Sequence, residues 1–335
     1  MNGRYLRQEL FSPIGKSGQK KLREKHVVIV GCGALGSAIA ENLTRAGIGK
    51  LTLLDRDYVE WSNLQRQQLF TEYDASHVLP KVVAAKDRLG KINSEITINA
   101  KILDVNGDNL LPIVKNTDLV LDATDNFSVR LVMNDVIHHT KVPMIFGACA
   151  GSTGSSFTIV PHETPCLVCL LNNGPVSGGT CDSTGIIMPA VQMVAAIQTA
   201  EALKILVEDF NAVRTTFIVF DLWNNLFQQV GVRRAESEAC PTCGNSPTYP
   251  YLKETGLTIN LLCGRNTVLV RSTNDIPFRV LCSRLRRMSG YKANPYLVSV
   301  EYKGCRIVIF RDGRALIHGT DSIETAGKLY DQLIG

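Results

Sequence analysis

The chain has 335 residues, a little over two typical domains, and is 45% apolar, 20% charged and 7% aromatic. That composition excludes intrinsic disorder and a collagenous chain and leaves enough apolar residues for a sizeable core. The charge balance, 36 basic against 31 acidic side chains or +5, suits an acidic partner or a nucleotide but is too weak and dispersed to point to nucleic acid.

The N-terminal MNGRYLRQELF lacks an apolar core, so no secretory signal is expected. Residues 1–26 are polar and basic, ending in KSGQKKLREKH, and read as a solvated helix before the first strand. VVIVG follows, a continuous β-branched run of the kind buried on both faces of a sheet. GCGALG opens a helix that runs to Arg45 and stops at Gly47, and LTLLD forms a second strand ending at Asp55. Helix (81–92), strand (96–102), helix (108–114), strand (119–122), helix (128–139) and strand (142–146) come next. This alternation predicts an α/β fold with a doubly wound, Rossmann-like, mostly parallel sheet.

After Gly147 the rhythm loosens. SSFTIV and TTFIVFD read as strands, separated by a Cys-rich loop and a long helix near 189–208. The stretch 186–207 is the most apolar, yet it carries Gln192, Gln198, Glu201 and Lys204, so it is a buried helix and no membrane span. FIVFD and LFQQVGV extend the sheet antiparallel. The prolines of CPTCGNSPTYPY mark a break, which divides the chain into residues 1–247 and a small α+β module over 248–335. That module has strands near LTINLL, VLVR, LVSVEY, RIVIF and ALIH and helices near 277–288 and 322–334.

Gly31, Gly33 and Gly36 form G-x-G-x-x-G at a strand–helix junction, where backbone N–H groups can approach phosphate at a helix N-terminus. Asp55, 19 residues beyond Gly36 at the end of the next strand, is placed to bind ribose hydroxyls. The pattern fits NAD as well as ATP. Asn63 and Arg66 in SNLQRQ, and Lys81 after LP, belong to loops that should face the same crevice. A triphosphate with departing pyrophosphate needs such a cluster, although surface basic residues would look the same. Asp125 in DATDN could hold Mg2+ through oxygen or simply cap the following helix.

Ten cysteines without a signal peptide point to a reducing, cytoplasmic compartment, where clustered thiols more often hold metal than form disulfides. Cys166-x-x-Cys169 and Cys240-x-x-Cys243 are two knuckles with 70 residues between them, sufficient for a closed, structural Zn2+ site. Two redox pairs are the alternative. Cys32, Cys149, Cys263, Cys282 and Cys305 read as packing residues, His138–His139 as solvated, and SRLRRM (283–288) as a polar helix face.

Six blocks occur in order: GCGALG, LTLLDRDYVEWSNLQRQQLF, LPK, DLVLDATDN and the two C-x-x-C knuckles. Over residues 4–244 they resemble the ThiF/MoeB/HesA family, the bacterial relatives of ubiquitin-activating enzymes. The C-terminal module makes the chain most similar to the long thiazole-biosynthesis members. The resemblance implies a homodimer that uses Mg-ATP to adenylate the C-terminal Gly-Gly carboxylate of a ubiquitin-like sulfur-carrier protein. It implies thiamine thiazole synthesis first and molybdopterin synthesis next, with a sulfur-donor enzyme as a further partner and no membrane.

On matching positions, Arg7 would reach the triphosphate from the other subunit, Arg66 and Lys81 would hold phosphates, and Asp125 would serve magnesium. The nucleotide would be lined by Gly31, Gly33, Ala34, Gly36, Asp55, Asp57, Ser62, Asn63, Gln67, Thr124 and Asn126. Ala34 stands where the family has a second glycine. Cys181, in GGTCDSTG, would be the thiol that meets the activated carrier, or else a bystander in its loop. An NAD-dependent dehydrogenase with structural zinc is the rival from another class, and an idle nucleotide-sensing scaffold is a third reading.

Overall fold

The computed structural model describes residues 3–173, 184–253, 259–262, 266–271 and 277–334. The chain divides into two compact units, Met1–Glu72 with Pro80–Glu254, and Tyr73–Leu79 with Thr255–Gly335.

In the first unit, helices α1 (Leu6–Glu9) and α2 (Gly15–Glu24) lead into β1 (His26–Val30), α3 (Ala34–Ala46) and β2 (Lys50–Asp55). A short α4 (Glu72–Ser76) starts at the edge of this unit, and α5 (Lys81–Ile92), β3 (Thr97–Ile102), α6 (Gly107–Val114), β4 (Leu119–Asp122), α7 (Phe127–Thr140) and β5 (Met144–Ala150) follow. Next come β6 (Thr153–Ile159), α8 (Leu167–Asn173), α9 (Met188–Leu206), β7 (Thr216–Asp221) and β8 (Leu226–Gly231). The eight strands form one sheet in the order β3-β2-β1-β4-β5-β6-β7-β8. Pairing is parallel from β3 to β5 and antiparallel from β5 to β8.

The β-branched run of β1 places it in the middle of this sheet, where both faces are covered. Val28, Val30, Leu54 and Val120 pack with Leu110 and Val114 of α6 and with Met133, Val136 and Ile137 of α7. The opposite layer consists of α3, α5 and α9. The strand order reverses between β1 and β4, so the carboxyl ends of these two strands open a crevice. Helix α3 ends because Gly47 takes φ +83° and its N–H returns to the Leu43 carbonyl at 3.1 Å.

The N-terminal stretch differs from the expected solvated helix. It makes two helices, and α2 buries Gly18, Gln19 and Leu22. The expected strand at 142–146 instead runs from Met144 to Ala150, because antiparallel pairing with β6 carries it past Gly147. The expected Cys-rich loop contains a helix, α8, which carries Cys169. The strand is lengthened by a hairpin partner immediately downstream, and α8 packs against α7.

In the second unit, β9 (Ile259–Leu262), β10 (Thr267–Val270), α10 (Phe278–Leu285), β11 (Lys292–Ala293), β12 (Leu297–Tyr302), β13 (Cys305–Phe310), β14 (Ala315–His318) and α11 (Ile323–Ile334) follow in order. The sheet is antiparallel in the order β11-β12-β13-β14-β10-β9. Period-two apolar residues (Val268, Val270, Val298, Val300, Ile307 and Ile309) pack against Leu281 and Leu285 of α10 and Leu329 and Leu333 of α11. Cys305 lies in that core, Cys282 packs at its border, and Cys263 falls outside the described residues.

Candidate active site

The crevice is built on the glycine turn after β1. Gly31 has φ +91°, and a side chain there would lie 2.6 Å from the Ala123 carbonyl oxygen. A Cβ on Gly36 would lie 1.9 Å from the carbonyl oxygen of Gly31. These two glycines are therefore demanded by the turn itself. Gly33 is different, since a Cβ there meets only the Gln67 side chain, at 3.8 Å. Among the described residues no side-chain cap hydrogen bond closes α3, which Gly33 and Ala34 open, so its first-turn amides are candidates to bind phosphate.

Asp55 holds this turn from β2. One carboxylate oxygen accepts the Cys32 N–H at 2.6 Å and the other accepts the Asp57 N–H at 2.7 Å. Each oxygen retains a second lone pair for a ribose hydroxyl. Burial pushes its pKa up, and the nearby Lys81 ammonium opposes that shift. Lys81, at the first position of α5, is only 4% exposed. Its Nζ lies 3.3 Å from Asp57 Oδ2, and its N–H donates to the Asp57 carbonyl at 3.0 Å. Arg56 lies 3.0 Å from Asp104, and the charges of Asp57, Asp104 and Asp125 raise its pKa against the effect of burial.

The 62–67 stretch follows a single turn of 3-10 helix (Trp61–Asn63). Asn63 is buried and serves that turn, its side-chain oxygen accepting the Glu60 N–H at 3.1 Å. The Asn63 carbonyl accepts the N–H groups of Arg66 and Gln67. The half-buried Arg66 donates to the Ser62 carbonyl at 2.8 Å. Gln67, beside Gly33, brings this stretch against the glycine turn, while Asp57 and Asp55 bring Lys81 to it.

Beyond β4, Asp122 is fully buried, and its Oδ1 accepts from Thr124 N and Oγ1 at 2.9 and 2.8 Å. The cap of α7 is Asn126, whose side chain accepts the Val129 N–H at 3.2 Å. Asp125 is not the cap; it is exposed, and its charge bears on Arg56. Arg130 is a residue that sequence reasoning missed. It is buried, lies 3.0 Å from Asp122 Oδ2, and donates to the carbonyls of Thr124 and Gly147. Its sequence signal was a charge on the apolar side of α7. Gln198 of α9 was also missed as a site residue; it donates to the carbonyls of Asp122 and Ile145.

Two expected residues are not joined to this cluster. Arg7 is exposed on α1, next to exposed Leu6, Leu10 and Phe11. Cys181 lies outside the described residues. Cys32 is fully buried and its thiol pKa is raised by that burial, as befits an apolar filler.

The four knuckle cysteines converge, with all sulfurs within 4.8 Å of one another. Cys166 faces Cys240, and Cys169 faces Cys243, each pair at 3.5 Å. A tetrahedral ion with Zn–S bonds of about 2.3 Å fits such a cage with small adjustments. Burial pushes the Cys169 thiol up to about 12, whereas hydrogen bonds from Cys166 hold Cys243 down at about 5. Two neighbouring residues of α7, both buried, secure the knuckles. Asn134 accepts the Leu167 N–H at 2.8 Å, and Asp135 accepts the Thr242 hydroxyl at 2.6 Å and the Tyr251 N–H at 2.8 Å.

His138 corrects another expectation. It is 3% exposed, one turn beyond Asn134, and burial together with the nearby His162 lowers its pKa to about 4. Helical periodicity turns it into the core, whereas His139 is exposed.

Comparison with known proteins fits this geometry. Residues 5–242 match the ThiF family. The chain is 47% identical over 340 residues to the sulfur carrier protein ThiS adenylyltransferase of Bacillus subtilis, with 100% of both chains covered. It is 35% identical over 243 residues to the molybdopterin-synthase adenylyltransferase of Salmonella typhimurium, covering 72% of this chain and 96% of that one. A crystal structure of E. coli MccB with ATP superposes with a TM-score of 0.61 at 26% identity, covering 73% of this chain and 75% of that one. With the glycine turn, the crevice and the full-length match in agreement, the chain belongs to the ThiF family and is an adenylyltransferase.

Proposed function

We propose that this chain uses ATP to adenylate the C-terminal Gly-Gly carboxylate of a ubiquitin-like sulfur-carrier protein of the ThiS kind, for thiamine thiazole synthesis. The observation that carries the proposal is Lys81, a buried ammonium beside Asp57 whose charge also bears on Asp55 at the glycine turn. The name of the Bacillus subtilis relative supports the carrier.

The carrier carboxylate attacks the α-phosphorus and forms an acyl–phosphate bond. The bond to the β-phosphate breaks, and pyrophosphate leaves with its electron pair. Lys81 and Arg66 stabilise the charge that develops on the leaving phosphates; losing one such contact costs ~3 kcal/mol. Asp55 accepts from the ribose hydroxyls. Asn63, Ser62 and Gln67 shape the wall around the phosphates, and Thr124 and Asn126 shape the turn that carries Asp125. Magnesium, held by Asp125, would neutralise part of the triphosphate charge.

Zinc, held by Cys166, Cys169, Cys240 and Cys243, would fasten the two knuckles and leave no open position for catalysis. A second copy of the chain is the partner that would cover Leu6, Leu10 and Phe11 and receive Arg7 at its triphosphate. Cys181 is assigned to meeting the activated carrier ahead of a sulfur-donor enzyme. The family match ends at residue 242 and supports assigning adenylyl transfer to residues 1–247 and a separate module to 248–335. Among the described residues no helix is long and apolar enough to cross a membrane. Clustered thiols able to hold metal favour a reducing compartment such as the cytoplasm.

ATP–pyrophosphate exchange tests the proposal. Exchange is expected with an intact thiamine-pathway carrier and Mg2+, and is expected to vanish when the carrier lacks its terminal glycines. Exchange that ignores those glycines, or that needs the molybdopterin-pathway carrier instead, overturns the assignment.

A further inference from the structure

Strands β4 and β5 separate where the crevice opens. Their parallel ladder ends at Leu121 opposite Ile145. Beyond that point β5 stays paired with β6, Phe146 opposite Phe157 and Gly147 opposite Ser156, whereas β4 ends at Asp122 and turns. Carbonyls left without a ladder partner at such a split need other donors, because an unmet carbonyl away from water is costly. Two side chains supply them, one from each face of the sheet. From α9, Gln198 Nε2 donates to the carbonyls of Asp122 and Ile145 at 2.9 and 3.0 Å. From α7, Arg130 Nη2 donates to the carbonyls of Thr124 and Gly147 at 2.5 and 3.1 Å. In each case a single nitrogen uses both of its hydrogens, one toward the end of β4 and one toward β5.

Both side chains are held in place. Gln198 is fully buried, and a Cβ on Gly147 would overlap its amide group, so the close approach needs glycine there. Arg130 is buried as well. Its Nε lies 3.0 Å from Asp122 Oδ2, and its guanidinium carbon lies 5.0 Å from the centre of the Phe146 ring. The turn between β4 and α7 is therefore tied to β5 at Asp122 and again at Thr124. That turn lies against the glycine turn. The Ala123 N–H donates to the Val30 carbonyl at 2.9 Å, and the Ala123 carbonyl oxygen is the atom that a side chain on Gly31 would strike. The same turn carries Asp125.

We propose that Arg130 and Gln198 are positioning residues for ATP binding: by clasping the separated ends of β4 and β5 from opposite faces, they hold the 122–126 turn against the glycine turn and set the width of the nucleotide crevice. Each acts through the backbone that it holds, in a role that rests on the reading of this crevice as the ATP site.

Calorimetric titration of the full-length chain with ATP tests this, because it reports the dissociation constant and the number of sites separately. Arg130→Lys keeps a positive charge beside Asp122 but gives up the forked donor. It is expected to raise the Kd for ATP about tenfold, the scale of one lost hydrogen bond, with the number of sites unchanged. The KM for ATP in ATP–pyrophosphate exchange should rise in parallel, and the KM for the carrier should not. A part in folding alone would lower the number of sites and leave the Kd at the wild-type value; that result overturns the proposal. The wild type, titrated alongside, separates the two claims. If the wild type binds no ATP, the reading of the crevice falls and the positioning role falls with it. If the wild type binds ATP and Arg130→Lys binds it equally well, only the positioning role falls. Should Arg130→Lys not fold, Gln198→Met carries the test, because it nearly conserves volume but offers no donor to Asp122 and Ile145. A rise of about fivefold in the Kd for ATP is then expected, and an unchanged Kd overturns the proposal.

Discussion

The glycine-turn crevice and the four-cysteine cluster are both built from residues far apart in sequence, but they use polar groups in opposite ways. At the cluster the partners close on one another: two knuckles face each other at 3.5 Å, and Asn134 and Asp135 hold the backbone behind them. At the crevice the arrangement stops short of closure. Asp55 is bound to two amides yet keeps lone pairs, Gly33 would bring a side chain only into ordinary contact with Gln67, and Asp125 is exposed next to a helix that Asn126 caps. A region that fastens the fold turns most of its groups on one another, whereas a region that receives a ligand keeps capacity in reserve.

The comparison breaks most readily at Lys81. Lys81→Ala is expected to lower the rate of ATP–pyrophosphate exchange a hundredfold or more, with some loss of melting temperature because Asp57 loses its buried partner. A variant that loses stability and keeps its rate would make Lys81 part of the scaffold. At the cluster the reverse is expected. Wild-type protein should carry one zinc per chain by elemental analysis, and Cys240→Ser should cost ~3 kcal/mol or more in stability. Stable, metal-free wild-type protein would contradict this.

The glycines sharpen the contrast within a single turn. Gly36→Ala drives a methyl into the Gly31 carbonyl, 1.9 Å from the ideal Cβ position, and should cost at least ~2 kcal/mol in thermal or denaturant unfolding. Gly33→Ala meets only the end of Gln67 and should fold normally but bind ATP more weakly, as read by calorimetry. Equal stability losses for the two would erase the distinction drawn between them.

The smallest effect concerns pH. With its pKa lowered to about 4 in the fold against 6.5 for the free side chain, His138 is buried neutral and takes up its proton more readily when unfolded. Its contribution is fully present above pH ~6.5 and is lost as pH falls from there toward ~4, about 3 kcal/mol at most. His138→Phe, at a position whose ring nitrogens have no hydrogen-bond partner among the described residues, should flatten that acid limb relative to wild type. Parallel pH–stability curves would show that His138 does not titrate between the two states.

Much of this was legible in the sequence for local reasons. VVIVG followed by GCGALG defines a strand, a turn and a helix within about twenty residues, and Asp55 ends the neighbouring strand because parallel pairing brings that end alongside. The four cysteines announce themselves by spacing. Arg130, Asn134, Asp135 and Gln198 were not legible, because each acts through a contact set by the packing of α7 or α9. His138 was misread because the end of an amphipathic helix looks polar until its buried face is known. The assignment of Tyr73–Leu79 to the second unit, and the left-handed turn at Val78, depend on Asn294, over two hundred positions away. No local propensity encodes such a contact.

The central claim is that cationic side chains from the 62–67 stretch and from α5 converge on the phosphates of ATP above the glycine turn. A crystal structure with a non-hydrolysable ATP analogue and Mg2+ tests it most directly. The account predicts the β- and γ-phosphates within hydrogen-bond distance of Lys81 Nζ and the Arg66 guanidinium, with the ribose on Asp55. A triphosphate directed into solvent, with Lys81 still paired with Asp57 and away from it, would contradict it.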